Sequence, residues 1–253
     1  MGKNKLAKFA EMETFNNVLQ SPFREVWHED HPIKGKWNSD FFKTSKPLIL
    51  ELGCGKGEYT FNLGHLCPQN NYIGIDIKGA RMWKGAKDAL TAGLDNVGFL
   101  RTNIEMTDRF FAPGEVSEIW LTFPDPQMEK ARKRLTSTRF INLYRRYLKS
   151  EGIINLKTDS NFQYQYTLAM AKENGFEILC NTDDLYQSDM VDEVLSIHTY
   201  YEQQWLNRGL TIKYLKFRIH DDELREPDVE IEKDPYRSFG RSRRGMVIGE
   251  EKE

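Results

Sequence analysis

Cysteine is scarce in this chain: Cys54, Cys67 and Cys180 are the three among 253 residues. They are scattered and odd in number, which excludes a disulfide framework and fits a reducing compartment. No Cys or His spacing matches a zinc site. His28 and His31 flank Glu29 and Asp30, but Pro32 follows and no further ligand lies nearby in sequence. That stretch reads as a solvated surface segment, and no metal is expected. Long apolar runs are missing, so no bilayer span and no membrane partner are expected. The first ten residues carry Lys3, Lys5 and Lys8 but lack the apolar core of a secretion signal. A cytoplasmic protein is the expectation. Net charge is almost absent, with 36 Lys and Arg against 38 Asp and Glu. That balance excludes a protein that coats nucleic acid through bulk charge. Internal repeats are also missing.

Charge is present as clusters. Basic residues gather at the N-terminus, over 130–149 and over 237–244; acidic ones gather over 183–193 and 221–234. Residues 1–45 hold Trp27, Trp37, Phe41 and Phe42 without a clean period and read as an arm that packs on the core. From Pro47 the pattern changes. Leu48-Ile49-Leu50-Glu51-Leu52 is a short apolar run between Pro and Gly, as expected of a buried parallel strand. Further strands are expected over 72–76, 97–101, 118–123 and 152–157. Helices are expected over about 58–66, over 79–92, and over 138–149 with Thr138 as N-cap. This alternation predicts an α/β fold, a mostly parallel sheet with helices on both faces. Residues 211–219 alternate and predict an antiparallel strand at or near the sheet edge. The domain reading is an arm over 1–45, a core over 46–220, and a charged, mobile tail over 221–253.

Two motifs carry chemistry. Glu51-Leu52-Gly53-Cys54-Gly55-Lys56-Gly57 joins a strand to a helix, where glycines allow a sharp turn and close approach to a ligand. Asp76 ends the next strand, where a carboxylate can accept two ribose hydroxyls. The third glycine comes one position too early for a dinucleotide fingerprint, and Glu51 is placed to hold an ammonium group. A sulfonium-bearing amino-acid nucleoside fits better than a pyrophosphate. The second motif is Phe123-Pro124-Asp125-Pro126, followed by Lys130, Arg132, Lys133 and Arg134. Two prolines restrict the acid between them, and a phosphate-attracting block stands beside it.

The first motif resembles a Rossmann-like S-adenosylmethionine-dependent methyltransferase, in which Asn103 after the third strand is expected near the adenine or ribose. The second, with Lys133-Arg134-Leu135-Thr136, Arg139-Phe140, Thr158-Asp159 and Thr199-Tyr200-Tyr201-Glu202, resembles the bacterial tRNA (guanine-N7)-methyltransferases over roughly residues 45–219. There are departures. Gln127 stands where the family usually has Trp, and the basic loop is about two residues short. The family's substrate lysine falls on Glu129, so its role is assigned to Lys130. The tail after Asp221 has no counterpart.

The resemblance implies methyl transfer from S-adenosylmethionine to N7 of a variable-loop guanosine (tRNA position 46), by a monomer or homodimer. It implies cofactor contacts from Glu51, Gly53, Gly55, Asp76, Asn103 and Asp125, and substrate contacts from Lys130, Asp159, Thr199 and Glu202. Asp125 is the first candidate for the catalytic carboxylate, with Asp159 and Glu202 next. Arg132, Lys133 and Arg134, with Arg145 and Arg146, are candidates for the RNA backbone. Plainer readings stand beside these. The basic run can be a solvated loop, Asp159 a helix cap, Tyr200 and Tyr201 packing, and Trp120 and Phe123 core. Rival functions are a methyltransferase for a small molecule or protein, a non-catalytic RNA-binding subunit, and, more distantly, a nicotinamide dehydrogenase.

Overall fold

The computed structural model describes residues 2–21 and 23–237. The basic cluster from residue 238 onward lies outside them. Eight strands form one sheet in the order β1-β4-β3-β2-β5-β6-β8-β7. They are β1 (Val18–Gln20), β2 (Leu48–Leu52), β3 (Asn71–Ile75), β4 (Val97–Arg101), β5 (Val116–Thr122), β6 (Leu148–Thr158), β7 (Glu177–Thr182) and β8 (Lys213–Arg218). All neighbours pair in parallel except β8, which runs antiparallel between β6 and β7. β2 and β3 are buried at every position, which explains their uninterrupted apolar runs. The order reverses between β2 and β5, so their carboxyl ends border the crevice where open α/β sheets bind ligands.

The helices are α1 (Gly2–Met12), α2 (Glu58–Leu66), α3 (Gly79–Thr91), α4 (Thr138–Tyr144), α5 (Asn161–Glu173) and α6 (Tyr200–Leu206). In the first 45 residues, α1 lies on α3, and β1 extends the sheet beside β4. Trp37 is fully buried, and its indole N–H donates to the Phe110 carbonyl at 2.8 Å.

Three expectations change. The helix starting at Thr138 ends at Tyr144, because Leu148 already pairs with Val116. β6 then kinks at Glu151, whose φ is +57°, and resumes its register at Ile153. The N-cap of α4 is Ser137, not Thr138, and Glu226 accepts from the Thr138 N–H (3.1 Å) and hydroxyl (2.6 Å). The segment 221–237 does not run free. Glu226 also accepts from the Tyr166 hydroxyl, and Asp234 is buried where it accepts from the Phe162 N–H at 3.0 Å. Low apolar content signalled mobility, but these carboxylates cap helices.

Candidate active site

A cavity of about 580 Å³ opens at the carboxyl ends of β2, β3 and β5. Its floor is the loop after β2. Gly53 has φ +85°, and a Cβ built on it meets no atom within 4 Å, so the backbone there faces open space. Gly57 has φ +73° for a different reason: a Cβ there would stand 2.5 Å from the Phe99 ring, so the residue lets the loop pack on β4. Asp76 fixes the loop from β3. Its carboxylate accepts from the Gly55 N–H at 3.0 Å and the Lys78 N–H at 2.8 Å, and it remains part of the cavity wall.

Glu51 lies on the same wall at 3% exposure. It accepts from the Thr60 N–H (2.8 Å) and from the hydroxyls of Thr60 and Thr122. Burial pushes its carboxyl up to about 7; the threonine hydrogen bonds oppose that rise and the Asp76 charge adds to it. A buried carboxylate with no cation among these partners suits a ligand that brings one.

The loop after β5 forms the opposite wall. Phe123 and Gln127, on either side of Pro124-Asp125-Pro126, have φ +52° and +47°. Left-handed backbone at a bulky Phe is strained and persists only where its surroundings hold it. The Phe123 N–H donates to the Lys157 carbonyl at 2.8 Å, and Arg134 holds the far end of the loop. Its guanidinium donates to the carbonyls of Pro126 (3.0 Å) and Gln127 (3.2 Å). It also lies 3.8 Å from the Tyr166 ring and 4.8 Å from Phe162. At 3% exposure Arg134 cannot meet an RNA backbone, which corrects its expected role. Asp125 is left exposed at the cavity rim, its Oδ1 accepting from the Gln127 N–H at 3.1 Å.

The third wall comes from α6. Thr199 lines the cavity and caps α6 in a reciprocal box with Glu202. Glu202 itself is 0% exposed and pairs with the Lys157 ammonium at 2.8 Å and the Tyr186 hydroxyl at 2.5 Å. The Lys157 ammonium also donates to the Leu195 and Ile197 carbonyls (2.8 and 2.9 Å). Glu202 therefore supports the wall from inside, behind Thr199. Asp159 is 1% exposed and lies behind Tyr236, whose hydroxyl donates to its Oδ2 at 2.8 Å. The cap of α5 is Ser160, accepting from the Gln163 N–H.

The remaining expected residues separate. Asn103 does not line the cavity; its side chain caps a short 3-10 turn by accepting from the Glu105 N–H. Lys130, Arg132 and Lys133 are exposed on the loop beyond the rim. Arg146 pairs with Asp108 at 2.7 Å. Trp120 is core, and Phe123 packs against the same cluster while also lining the cavity. Lys78, Arg81, Trp205, Arg208 and Tyr236 also line it and were not expected. Only Lys78 and Arg81 had a legible signal, their place at the start of the helix after Asp76. Among the described residues, no cluster of His, Cys, Asp or Glu can hold a metal ion, and no helix is long and apolar enough to cross a membrane.

Known proteins share this framework. A family model described as "Putative methyltransferase" matches residues 45–215. A tRNA (guanine-N(7)-)-methyltransferase of Bacteroides fragilis is 60% identical over 96% of this chain and 97% of its own length. One of the same name from Porphyromonas gingivalis is 57% identical over 94% and 99%. Among solved structures, the 16S rRNA (adenine(1408)-N(1))-methyltransferase of Catenulisporales acidiphilia shares the fold. Its TM-score is 0.55 at 12% identity, over 75% of this chain and 94% of that one.

Proposed function

The chain belongs to the tRNA (guanine-N7)-methyltransferase family, and from that premise we propose how its residues move a methyl group to N7 of a variable-loop guanosine in tRNA. The observation that carries the proposal is one cavity with two unlike ends. At one end are a glycine cradle and two carboxylates, Glu51 and Asp76; at the other, an exposed carboxylate, Asp125, on a pinned loop.

The first end fits S-adenosylmethionine. Gly53 leaves space that any side chain would take up. Asp76 keeps lone pairs for two ribose hydroxyls beyond its two backbone donors. Glu51 offers its carboxylate to the ammonium group. Bound there, S-adenosylmethionine supplies a sulfonium methyl whose carbon bonds to N7 as the carbon–sulfur bond breaks.

The protein's task is orientation. Guanine N7 has a free lone pair, so no side chain has to remove a proton first. Asp125 accepts from the guanine N1–H and 2-amino group and stabilises the positive charge that develops on the methylated base. Pro124, Pro126 and Arg134 hold that carboxylate in place before the base arrives, so little reorganisation is needed in the transition state. Exposed Lys130, Arg132 and Lys133 attract the phosphates that the site's own acids repel. The base must leave its tertiary stacking to enter, which favours a preformed cavity. We place the reaction in the cytoplasm, with tRNA as the macromolecular partner.

Asp125→Ala tests the assignment. The variant is expected to lose about a hundredfold or more in kcat/KM for tRNA, a larger factor than it loses in cofactor affinity. Near-normal turnover in the purified variant removes Asp125 from the role.

A further inference from the structure

α6 crosses the cavity from its cofactor end to its acceptor end. At the start of the helix the Lys56 ammonium, on the glycine loop, lies 3.4 Å from the centre of the Tyr200 ring. Glu58 accepts from the Tyr200 N–H at 2.9 Å, and the Arg81 guanidinium lies 5.9 Å from the Tyr201 ring. Tyr201, Gln204, Trp205 and Arg208 then follow at helical spacing, and all four line the cavity. Arg208 stands just past the C-cap Asn207, its backbone N–H donating to the Trp205 carbonyl at 3.0 Å. Its guanidinium lies 4.9 Å from the Trp205 ring and 5.8 Å from the Tyr236 ring. Tyr236 belongs to the acceptor end. Its hydroxyl approaches the Asp159 carbonyl, after β6, at 3.1 Å, and Lys233 just before it pairs with Glu129 at 2.6 Å, on the loop that carries Asp125.

The Arg208 guanidinium is uncommitted. Its Nε is closed off from solvent and has no hydrogen-bond partner among the described residues. Arg109, Arg139, Arg146 and Arg218 pair with carboxylates, and Arg134 donates to two carbonyls; Arg208 has neither kind of partner among the described residues. Aromatic rings attract and orient the cation without supplying an anionic oxygen. A guanidinium held this way in a cavity wall keeps its terminal N–H groups for a ligand that brings one.

We propose that Arg208 binds a phosphate of the acceptor nucleotide, donating to its oxygens through the terminal guanidinium nitrogens. The inference rests on the reading that the cavity takes a guanosine of tRNA. Guanine N7 and O6 share one edge of the base, and that edge faces the methyl donor at the cofactor end. Asp125 takes the N1–H and 2-amino edge. What reaches the far end of α6 is the sugar with its phosphates. Glu51, Glu58, Asp76 and Asp125 all line the cavity, so a phosphate drawn in with the base needs a cation close by. The cofactor's own carboxylate stays at the other end, beside the ammonium group assigned to Glu51. Arg208 thereby favours a nucleotide within a chain over a free nucleoside.

The test uses the full chain and tRNA lacking N7-methylguanosine. One set of tRNAs carries a methylphosphonate at the linkage on the 5′ or the 3′ side of the acceptor guanosine, which removes the charge and keeps the size. Arg208→Gln is expected to weaken tRNA binding about tenfold, with cofactor Kd within about twofold of wild type. Its plot of log K against log salt should be shallower by about 0.7–0.9. One of the two neutral linkages should cost the wild type a similar factor and cost Arg208→Gln almost nothing more, because both changes remove the same contact. Arg208→Lys should keep the wild-type slope and recover only part of the affinity, since a lysine lacks the two-pronged geometry. It also repeats the linkage comparison if Arg208→Gln does not fold. An unchanged salt slope in Arg208→Gln overturns the inference. So do linkage effects that are equal in wild type and variant, and so does a loss of cofactor affinity as large as that for tRNA, which places the cofactor carboxylate there. If the wild type forms no N7-methylguanosine, the functional reading fails first and the inference with it. Product formed by a wild type indifferent to both neutral linkages overturns the inference alone.

Discussion

Glu51 gives the cofactor site a pH dependence that can be worked out in advance. Its carboxyl is pushed by burial from an ordinary 4.5 to about 7. Such a group keeps its proton longer in the folded chain than in the unfolded one. Its contribution to stability is therefore full below pH 4.5 and is lost as pH rises through about 7. The whole displacement corresponds to about 3 kcal/mol, of which about 2 kcal/mol falls between pH 5.5 and 8. Relative to Glu51→Gln, the ligand-free wild type should lose that amount across the window, read from urea unfolding midpoints. Ligand binding carries the opposite sign. An ammonium group needs the ionised carboxylate, so cofactor affinity should rise with pH, with Kd falling about fivefold from pH 6 to 7. The ligand's own α-amino group remains largely protonated there. Titration calorimetry in two buffers of different ionisation enthalpy should show close to one proton released at pH 6. Asp76 and Glu58 also line this side of the cavity, so the comparison with Glu51→Gln isolates the Glu51 contribution, and burial keeps the Cys54 thiol neutral across the range. A wild-type Kd that is flat from pH 6 to 7, or one that tracks the Glu51→Gln variant, refutes the reasoning.

Arg134→Lys should lower stability by about 2 kcal/mol, because a lysine cannot reproduce two parallel donors and a ring stack. It should also reduce turnover more than cofactor affinity, as thermal melts and steady-state kinetics would show. Lys157→Met should cost about 3–5 kcal/mol by leaving the Glu202 carboxylate buried without its cation, whereas Lys157→Met with Glu202→Gln should recover much of that loss in urea unfolding. Neutralising Lys130, Arg132 and Lys133 together should weaken tRNA binding. The plot of log K against log salt should become shallower by about 0.7–0.9 for each phosphate no longer neutralised, and an unchanged slope rejects these residues as the RNA-facing cations.

The cofactor end was legible because its signals are local. β2, the glycine loop and Asp76 lie within 29 consecutive positions, and each strand there is buried on both faces. The edges were not. β1 has three half-buried residues, and β7 exposes part of each face, so neither makes an apolar run. α6 spans only seven residues, yet Thr199-Tyr200-Tyr201-Glu202 has the spacing of a capping box, a local signal of a helix start. Long-range pairs left no trace in the sequence. Lys157 looks like any charged strand residue until Glu202 arrives from 45 positions away. Arg134 sits in a basic run that hides which of its members is buried. The segment after Asp221 reads as solvated because its acids outnumber its apolar residues, and spacing cannot show that Glu226 and Asp234 end on helix N-termini.

The most direct measurement is incubation of the purified protein with methyl-labelled S-adenosylmethionine and bulk tRNA lacking N7-methylguanosine, followed by digestion to nucleosides. Label confined to N7-methylguanosine is the predicted result. Label in another nucleoside, or none while the cofactor still binds, contradicts the assignment of this cavity to a guanine base.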